Sequence, residues 1–196
     1  MKIVGLTGSI GMGKTTAAAM FRALGAPVQD ADAVVHDLLR RDRAVIARVA
    51  AAFPGAAAGE RIDRAVLGEK VFGKPDEIAR LEAILHPMVR RERKKFLRRC
   101  RMRGTPVCVL DIPLLFETGA DAECDVTVVA AAPPFVQTAR VLKRPGMTPE
   151  RLAAIRARQM PDREKAKRAS LVLQTGNGRR PVLRAVIGLL RKLRRG

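Results

Sequence analysis

Residues 8–15 read G-S-I-G-M-G-K-T and follow directly on M-K-I-V-G-L-T at 1–7. Ile3, Val4 and Leu6 form an apolar run of the length of a buried strand. T-A-A-A-M-F-R-A-L at 16–24 is Ala-rich, with Met20, Phe21 and Leu24 at helical spacing. The stretch between them is therefore a strand-to-helix turn. Gly8, Gly11 and Gly13 let the backbone fold tightly round an anion and aim N–H groups at it, and the helix N-terminus adds its positive end. Side chains with a Cβ would obstruct that approach. Lys14 reaches the terminal phosphates as a compact charge, and the Thr15 hydroxyl takes one position on Mg²⁺. This is the complete G-x-x-x-x-G-K-[ST] pattern in its strand-loop-helix setting. It is specific for nucleoside triphosphate phosphates and silent about what receives the phosphate.

Outward from this loop the alternation of strand and helix repeats. A-P-V-Q-D-A-D at 26–32 is a short strand ending in two carboxylates, and A-V-V-H-D-L-L-R at 33–40 is helical. T-P-V-C-V-L-D at 105–111, D-V-T-V-V-A at 125–130 and A-S-L-V-L-Q at 169–174 read as further strands. A helix starts near Pro133 and Pro134, another opens at Pro149 with Thr148 as its N-cap and runs toward Arg168, and an amphipathic helix closes the chain over 180–193. The pattern predicts an α/β fold, a parallel sheet covered by helices on both faces, with ligands at the carboxyl ends of its strands. Residues 41–103 carry helical periodicity almost throughout, with breaks near Pro54 to Gly59, Gly73 to Pro75 and Pro87. They predict an all-helical insertion ending in a long basic helix. One domain of 196 residues results, with its core at 1–40, 104–139 and 169–196, the insertion at 41–103 and a lid region at 140–168.

Three further groups of residues carry chemistry. Asp30 and Asp32 end the second strand. Either one caps the following helix, or Asp32 takes the proton from a hydroxyl that attacks the γ-phosphate while Asp30 orients its neighbours. Asp111, at the end of a buried strand, is either a turn former or the carboxylate that holds a magnesium-bound water. Arg140, Lys143 and Arg144 flank the Pro145-Gly146 turn. They read as cations of a lid closing on developing phosphoryl charge, or as exposed charges near a turn.

Composition narrows the function classes. Hydrophobic residues make up 47% and charged residues 29%, which is globular rather than disordered. No apolar run approaches the roughly 18 residues that span a bilayer, and no signal-peptide pattern opens the chain, so a cytoplasmic protein without membrane contact is expected. Cys100, Cys108 and Cys124 match no zinc or redox spacing and read as reduced thiols. The net charge is +19, concentrated at 90–103 and in R-K-L-R-R at the C-terminus. Such runs are either solvated faces or an attraction for polyanions, which would include nonspecific nucleic-acid binding. Stacking platforms are scarce, with six Phe and no Trp or Tyr. An NTP-dependent nucleic-acid binder and a nucleoside or nucleotide kinase therefore stand beside a small-molecule kinase as readings of the phosphate loop.

Taken in order, G-L-T-G-S-I-G-M-G-K-T-T at 5–16, D-A-D at 30–32, I-D-R at 62–64, L-E-A-I-L-H-P at 81–87, L-D-I-P-L-L-F-E at 110–117 and Q-T-A-R-V-L-K-R at 137–144 resemble the dephospho-CoA kinase family over nearly the whole chain. The resemblance implies a P-loop NTPase fold whose helical insertion forms the CoA side of the cleft. It implies transfer of the γ-phosphoryl of ATP, with Mg²⁺, to the ribose 3′-hydroxyl of dephospho-CoA, giving coenzyme A, by a monomer or small homo-oligomer. It assigns Asp32, Lys14, Arg140 and Arg144 to catalysis, and Gly8, Gly11, Met12, Gly13, Lys14, Thr15 and Thr16 to the nucleotide. Thr15 and, through water, Asp111 fall to the metal, and Asp32, Arg64, His86, Pro87 and Leu114 to the acceptor. Ser170 and Thr175 stand where family members commonly carry an acid and an amide near the adenine. Binding of ATP is expected nonetheless, because base recognition there rests partly on backbone groups and arginine packing.

Overall fold

The structure, a computed structural model, describes residues 1–195. Its central sheet has the strand order β2-β5-β1-β6-β7, formed by Lys2–Thr7 (β1), Val28–Asp30 (β2), Val107–Asp111 (β5), Val126–Ala131 (β6) and Leu171–Gln174 (β7). β1 runs parallel to β5 and β6, and β6 parallel to β7. All five residues of β5 are buried, the mark of a strand covered on both faces. One layer of the core joins Val4, Leu6, Val107, Val109, Val128 and Leu173 of the strands to Ala17, Ala18 and Phe21 of Lys14–Ala23 (α1). The same layer takes Val182, Val186 and Leu190 of Arg179–Arg195 (α9), spaced four apart so that one stripe of the helix faces the sheet.

The chain divides into two compact units, Met1–Gln29 with the chain from Cys100 onward, and Asp30–Arg99. The second is wider at its start than the periodicity suggested. Leu38 and Leu39 of Ala31–Arg41 (α2) share a core with Val45 and Val49 of Arg43–Ala52 (α3), with Leu67 of Arg64–Val71 (α4) and with Leu85 of Pro75–Met102 (α5). Nor is it all-helical. Ala57–Ala58 (β3) and Arg61–Ile62 (β4) pair antiparallel round a two-residue turn opened by Gly59 at φ +61°. Alanines carry no strand signal, so only the turn glycine marked this hairpin.

The expected break at Pro87 is also absent, because α5 runs for 28 residues through it. A proline inside a helix removes one hydrogen bond and costs about 3 kcal/mol. Leu81, Ile84, Leu85, Met88 and Val89 pack into the unit's core on both sides of Pro87 and offset that cost. Conversely, the single helix expected from Pro149 toward Arg168 is two, Pro149–Ala157 (α7) and Asp162–Arg168 (α8). Pro161 disfavours helical geometry at Met160 and splits them. Pro134–Leu142 (α6) starts on its prolines, and Thr148 Oγ1 caps α7 by accepting from Arg151 N, as the sequence predicts.

Among the described residues no helix is long and apolar enough to cross a membrane. The cysteines form no disulfide. Burial, with Cys100 beside it, pushes the Cys108 thiol up to about 12, so at neutral pH it is an apolar filler rather than a nucleophile.

Candidate active site

The glycine loop is held in shape by protein on its outer side. A Cβ on Gly8 would lie 2.7 Å from the Ala130 carbonyl oxygen, one on Gly11 2.5 Å from Val141 Cγ2, and one on Gly13 3.0 Å from Thr175 Oγ1. Gly11 and Gly13 also have φ of +76° and +84°, a left-handed backbone that disfavours side chains. The glycines therefore serve packing against β6, α6 and the turn after β7. Met12 is 1% exposed, packs on Ala130 and Ala132, and offers its sulfur to Ala132 N, so its side chain faces inward.

α1 starts on Gly13 with no side chain capping it, and its first intrahelical acceptor, the Gly13 carbonyl, takes the Ala17 amide. The amides of Lys14, Thr15 and Thr16 thus head a positive helix end with no acid in the first turn. Beside them Lys14 Nζ donates to Asp111 Oδ1 at 2.5 Å, with Lys14 16% and Asp111 2% exposed. The end of β5 and the start of α1 meet there, so Asp111 sits beside the glycine loop. The exposed Thr15 hydroxyl and the Asp111 carboxylate are hard oxygen donors, the kind Mg²⁺ takes. No group of three or more His, Cys, Asp or Glu among the described residues could hold a metal ion. The residues fit an ion shared with a nucleotide.

Arg140 is anchored. Its guanidinium donates to Thr175 Oγ1 at 3.1 Å and to the Thr175 carbonyl at 2.9 Å, and reaches the Gly11 carbonyl at 3.5 Å. Thr175 Oγ1 lies 2.7 Å from the Met12 carbonyl and 3.2 Å from that of Ala131. The residue that departs from the usual amide is therefore a strut beneath the loop. Ser170 pairs with Thr127 through both backbone amides and both hydroxyls, fastening β7 to β6. Arg144 is exposed just past α6, and its amide donates to the Val141 carbonyl. Leu114 is half-buried in the turn after β5, its carbonyl accepting from the Thr118 hydroxyl.

In the second unit the two aspartates separate. Asp30 Oδ1 accepts from the amides of Asp32 and Ala33 and is the cap of α2. Asp32 lies in the first turn of that helix rather than at the strand's end, and its exposed carboxylate takes no hydrogen bond or ion pair among the described residues. A hollow of about 400 Å³ is lined by His36, Leu39, Arg40, Arg61, Ile62 and Arg64, with Asp63 and Ala65 at the start of α4. Arg64 Nη1 lies 2.9 Å from His36 Nδ1, and the Asp63 carboxylate is committed to capping α4. His86 and Pro87 are exposed on α5 and do not line it. Pro87 instead edges a second, basic hollow with Arg90, Arg91, Lys94, Lys95 and Arg98. Sequence reasoning did not single out Gln137, Arg156, Gln159, Asp162, Glu117 or Lys165, whose contacts with and around the loop are described below. Of these, only Gln137 and Glu117 lay within quoted motifs.

Comparison with known proteins bears on the family and the fold. The dephospho-CoA kinase family model matches residues 2–180. The dephospho-CoA kinase of Rhodospirillum rubrum is 55% identical over 195 residues, 99% of this chain and 92% of that protein. The crystal structure of TT1252 from Thermus thermophilus superposes with a TM-score of 0.84 at 38% identity, covering 98% of this chain and 97% of its own. Shikimate kinase from Bacteroides thetaiotaomicron, at 16% identity and a TM-score of 0.52 over 98% of this chain and 97% of its own, shares the fold alone. A P-loop whose lysine rests on a strand-end aspartate, matched from residue 2 to residue 180 by one family, assigns the chain: it belongs to the dephospho-CoA kinase family.

Proposed function

We propose that this chain transfers the γ-phosphoryl of ATP to the ribose 3′-hydroxyl of dephospho-CoA, forming coenzyme A in the last step of its biosynthesis. The observation that carries the reading is the family match over residues 2–180, which takes in the glycine loop, Asp32, Asp111 and Arg140 together.

The amides heading α1 and the Lys14 ammonium bind the terminal phosphates. Thr15 and, through water, Asp111 would hold Mg²⁺, which would supply positive charge against the phosphate oxygens. Asp32 accepts the acceptor's 3′-hydroxyl proton as that oxygen attacks the γ-phosphorus, the bond to the β-bridging oxygen breaks, and ADP leaves with the electron pair. Arg140 and Arg144 stabilise charge on the moving phosphoryl group. Arg64, with Arg40 and Arg61 around it, gives the second unit cations suited to the diphosphate of the acceptor, and His86, Pro87 and Leu114 are further acceptor contacts. The basic stripe of α5 adds only a nonspecific attraction for polyanions such as nucleic acid, strongest at low salt.

The test is ATP consumption with a panel of hydroxyl acceptors. Dephospho-CoA supports turnover, while adenosine and shikimate do not. Equal rates with all three would sink the substrate assignment.

A further inference from the structure

The arm that leads into the phosphate loop, Ser9 to Gly11, is held by side chains from far along the chain. Ser9 Oγ donates to Asp162 Oδ1 of α8 at 2.6 Å. The Ile10 amide donates to Gln159 Oε1, in the linker between α7 and α8, at 3.2 Å. The Ile10 carbonyl accepts from Gln137 Nε2 of α6 at 2.8 Å. Gln137 is 2% exposed, and its own oxygen accepts from Arg156 Nε of α7 at 3.1 Å. The far side of the linker is equally fixed. Glu117 Oε1 accepts from the Met160 amide at 2.8 Å and sits 3.0 Å from the ammonium of Lys165, which is wholly buried. A lysine buried against one carboxylate is costly to detach, so α8 is part of the core rather than of a swinging segment.

We propose that Gln159 and Asp162 are positioning residues for the phosphate donor, acting through Ser9 and Ile10 to fix the shape of the loop. The proposal rests on the loop being the donor site, and it assigns roles to residues outside every motif of that site. Thr175 and the Met12 side chain hold the loop's second half, as described above, while Gln159 and Asp162 hold the first. Between these two anchorages the amides that head α1 keep one arrangement without help from a ligand. Preorganisation of this kind raises affinity by lowering the ordering cost of binding. A second consequence concerns the lid. The contacts of Arg156, Gln159, Met160, Asp162 and Lys165 tie residues 156–165 down, so that part of the expected lid region is held to the body of its unit.

The experiment measures calorimetric affinity for a non-hydrolysable ATP analogue with Mg²⁺, in the absence of acceptor, together with KM for dephospho-CoA. Asp162→Ala weakens nucleotide binding about tenfold and Gln159→Ala a few-fold, the loss of a hydrogen bond to a charged and to a neutral partner. In both variants KM for dephospho-CoA stays within twofold. Asp162→Asn, whose amide oxygen still accepts from Ser9, restores binding, and the Ile10 amide exchanges with solvent at least tenfold faster in Gln159→Ala while strand amides do not. Should Asp162→Ala fail to fold, Gln159→Ala decides the matter alone. Wild-type nucleotide affinity in folded variants, a parallel loss of acceptor affinity, or failure of Asp162→Asn to rescue would each overturn the proposal. A wild-type protein that binds the nucleotide yet does not phosphorylate dephospho-CoA would sink the functional reading and leave this one intact.

Discussion

Helices α2, α3 and α4 each begin on an aspartate, Asp30, Asp42 and Asp63, whose Oδ1 accepts two amide hydrogens of the first turn. Helix α1 begins on Gly13 with no side chain over its amides. A helix start leaves donors that need a partner, and a cap normally supplies it. In the second unit the chain provides that partner itself. In the first it withholds one from the helix that follows the phosphate loop, so the donors and the positive helix end stay available to an anion. The same contrast separates the two candidate carboxylates. Asp30 is consumed by its cap, and the carboxylate of Asp32, two residues on, takes no hydrogen bond or ion pair among the described residues.

The largest test of that division is Asp32→Asn. It keeps the shape and removes the base, so kcat falls on the order of 10² to 10⁴ while affinity for ATP hardly moves. Unchanged kcat would make Asp32 one more helix-start acid. Next in size is Gly13→Asp, which gives α1 the kind of residue its counterparts have. Its Cβ would meet Thr175 Oγ1 at 3.0 Å, a left-handed φ of +84° costs a side chain about 1–2 kcal/mol, and the new carboxylate repels phosphate. Nucleotide affinity should drop on the order of 10²-fold, measured by calorimetry. An affinity like wild type would mean that the open helix start is not the phosphate site. The mirror experiment, Asp63→Ala, strips a cap from the second unit. It lowers unfolding stability by about 1 kcal/mol in a denaturant titration and leaves nucleotide affinity alone.

Local signals were enough for the loop, the buried strands and the proline-opened helices, because each is written in consecutive residues. The anchors of the loop were not legible. Gln137, Gln159, Asp162 and Thr175 lie 120 or more residues from the loop they hold; Gln137 begins a quoted motif and Thr175 stood out only as a departure from the family pattern, but nothing local shows that any of the four reaches the loop. Pro87 shows the opposite failure, a strong local signal overruled by packing. The apolar residues on either side of it outweigh one lost hydrogen bond, and sequence gives no measure of that balance. The pair Asp30 and Asp32 was legible only as two alternatives, since both occupy a helix start and only coordinates show which one accepts the amides.

The smallest effect sharpens the comparison by acidification. Hydrogen bonding from the Val45 amide, with the Arg91 guanidinium at 2.8 Å, outweighs burial and holds the Asp42 carboxyl below its ordinary value. Burial alone would raise the Glu117 carboxyl, but the Met160 amide and Lys165 together outweigh it and hold it low as well. A depressed folded value means that the stabilisation is complete above the ordinary carboxyl value, 3.8 for Asp42, and is lost as pH falls through the folded one. Acid therefore loosens the start of α3 and the attachment of α8, whereas α1 has no carboxylate cap over its amides to lose, its carboxylate contact being the pairing of the Lys14 side chain with Asp111. Asp42→Asn separates these contributions, because asparagine caps as well as aspartate and does not titrate. Amide exchange on acidification from about pH 5 to about pH 2 should show the first turn of α3 opening in the wild type below the ordinary carboxyl value of Asp42 and opening less in the variant, with α1 alike in both. If the amides of α1 open as early as those of α3, the two kinds of helix start do not differ in what holds them.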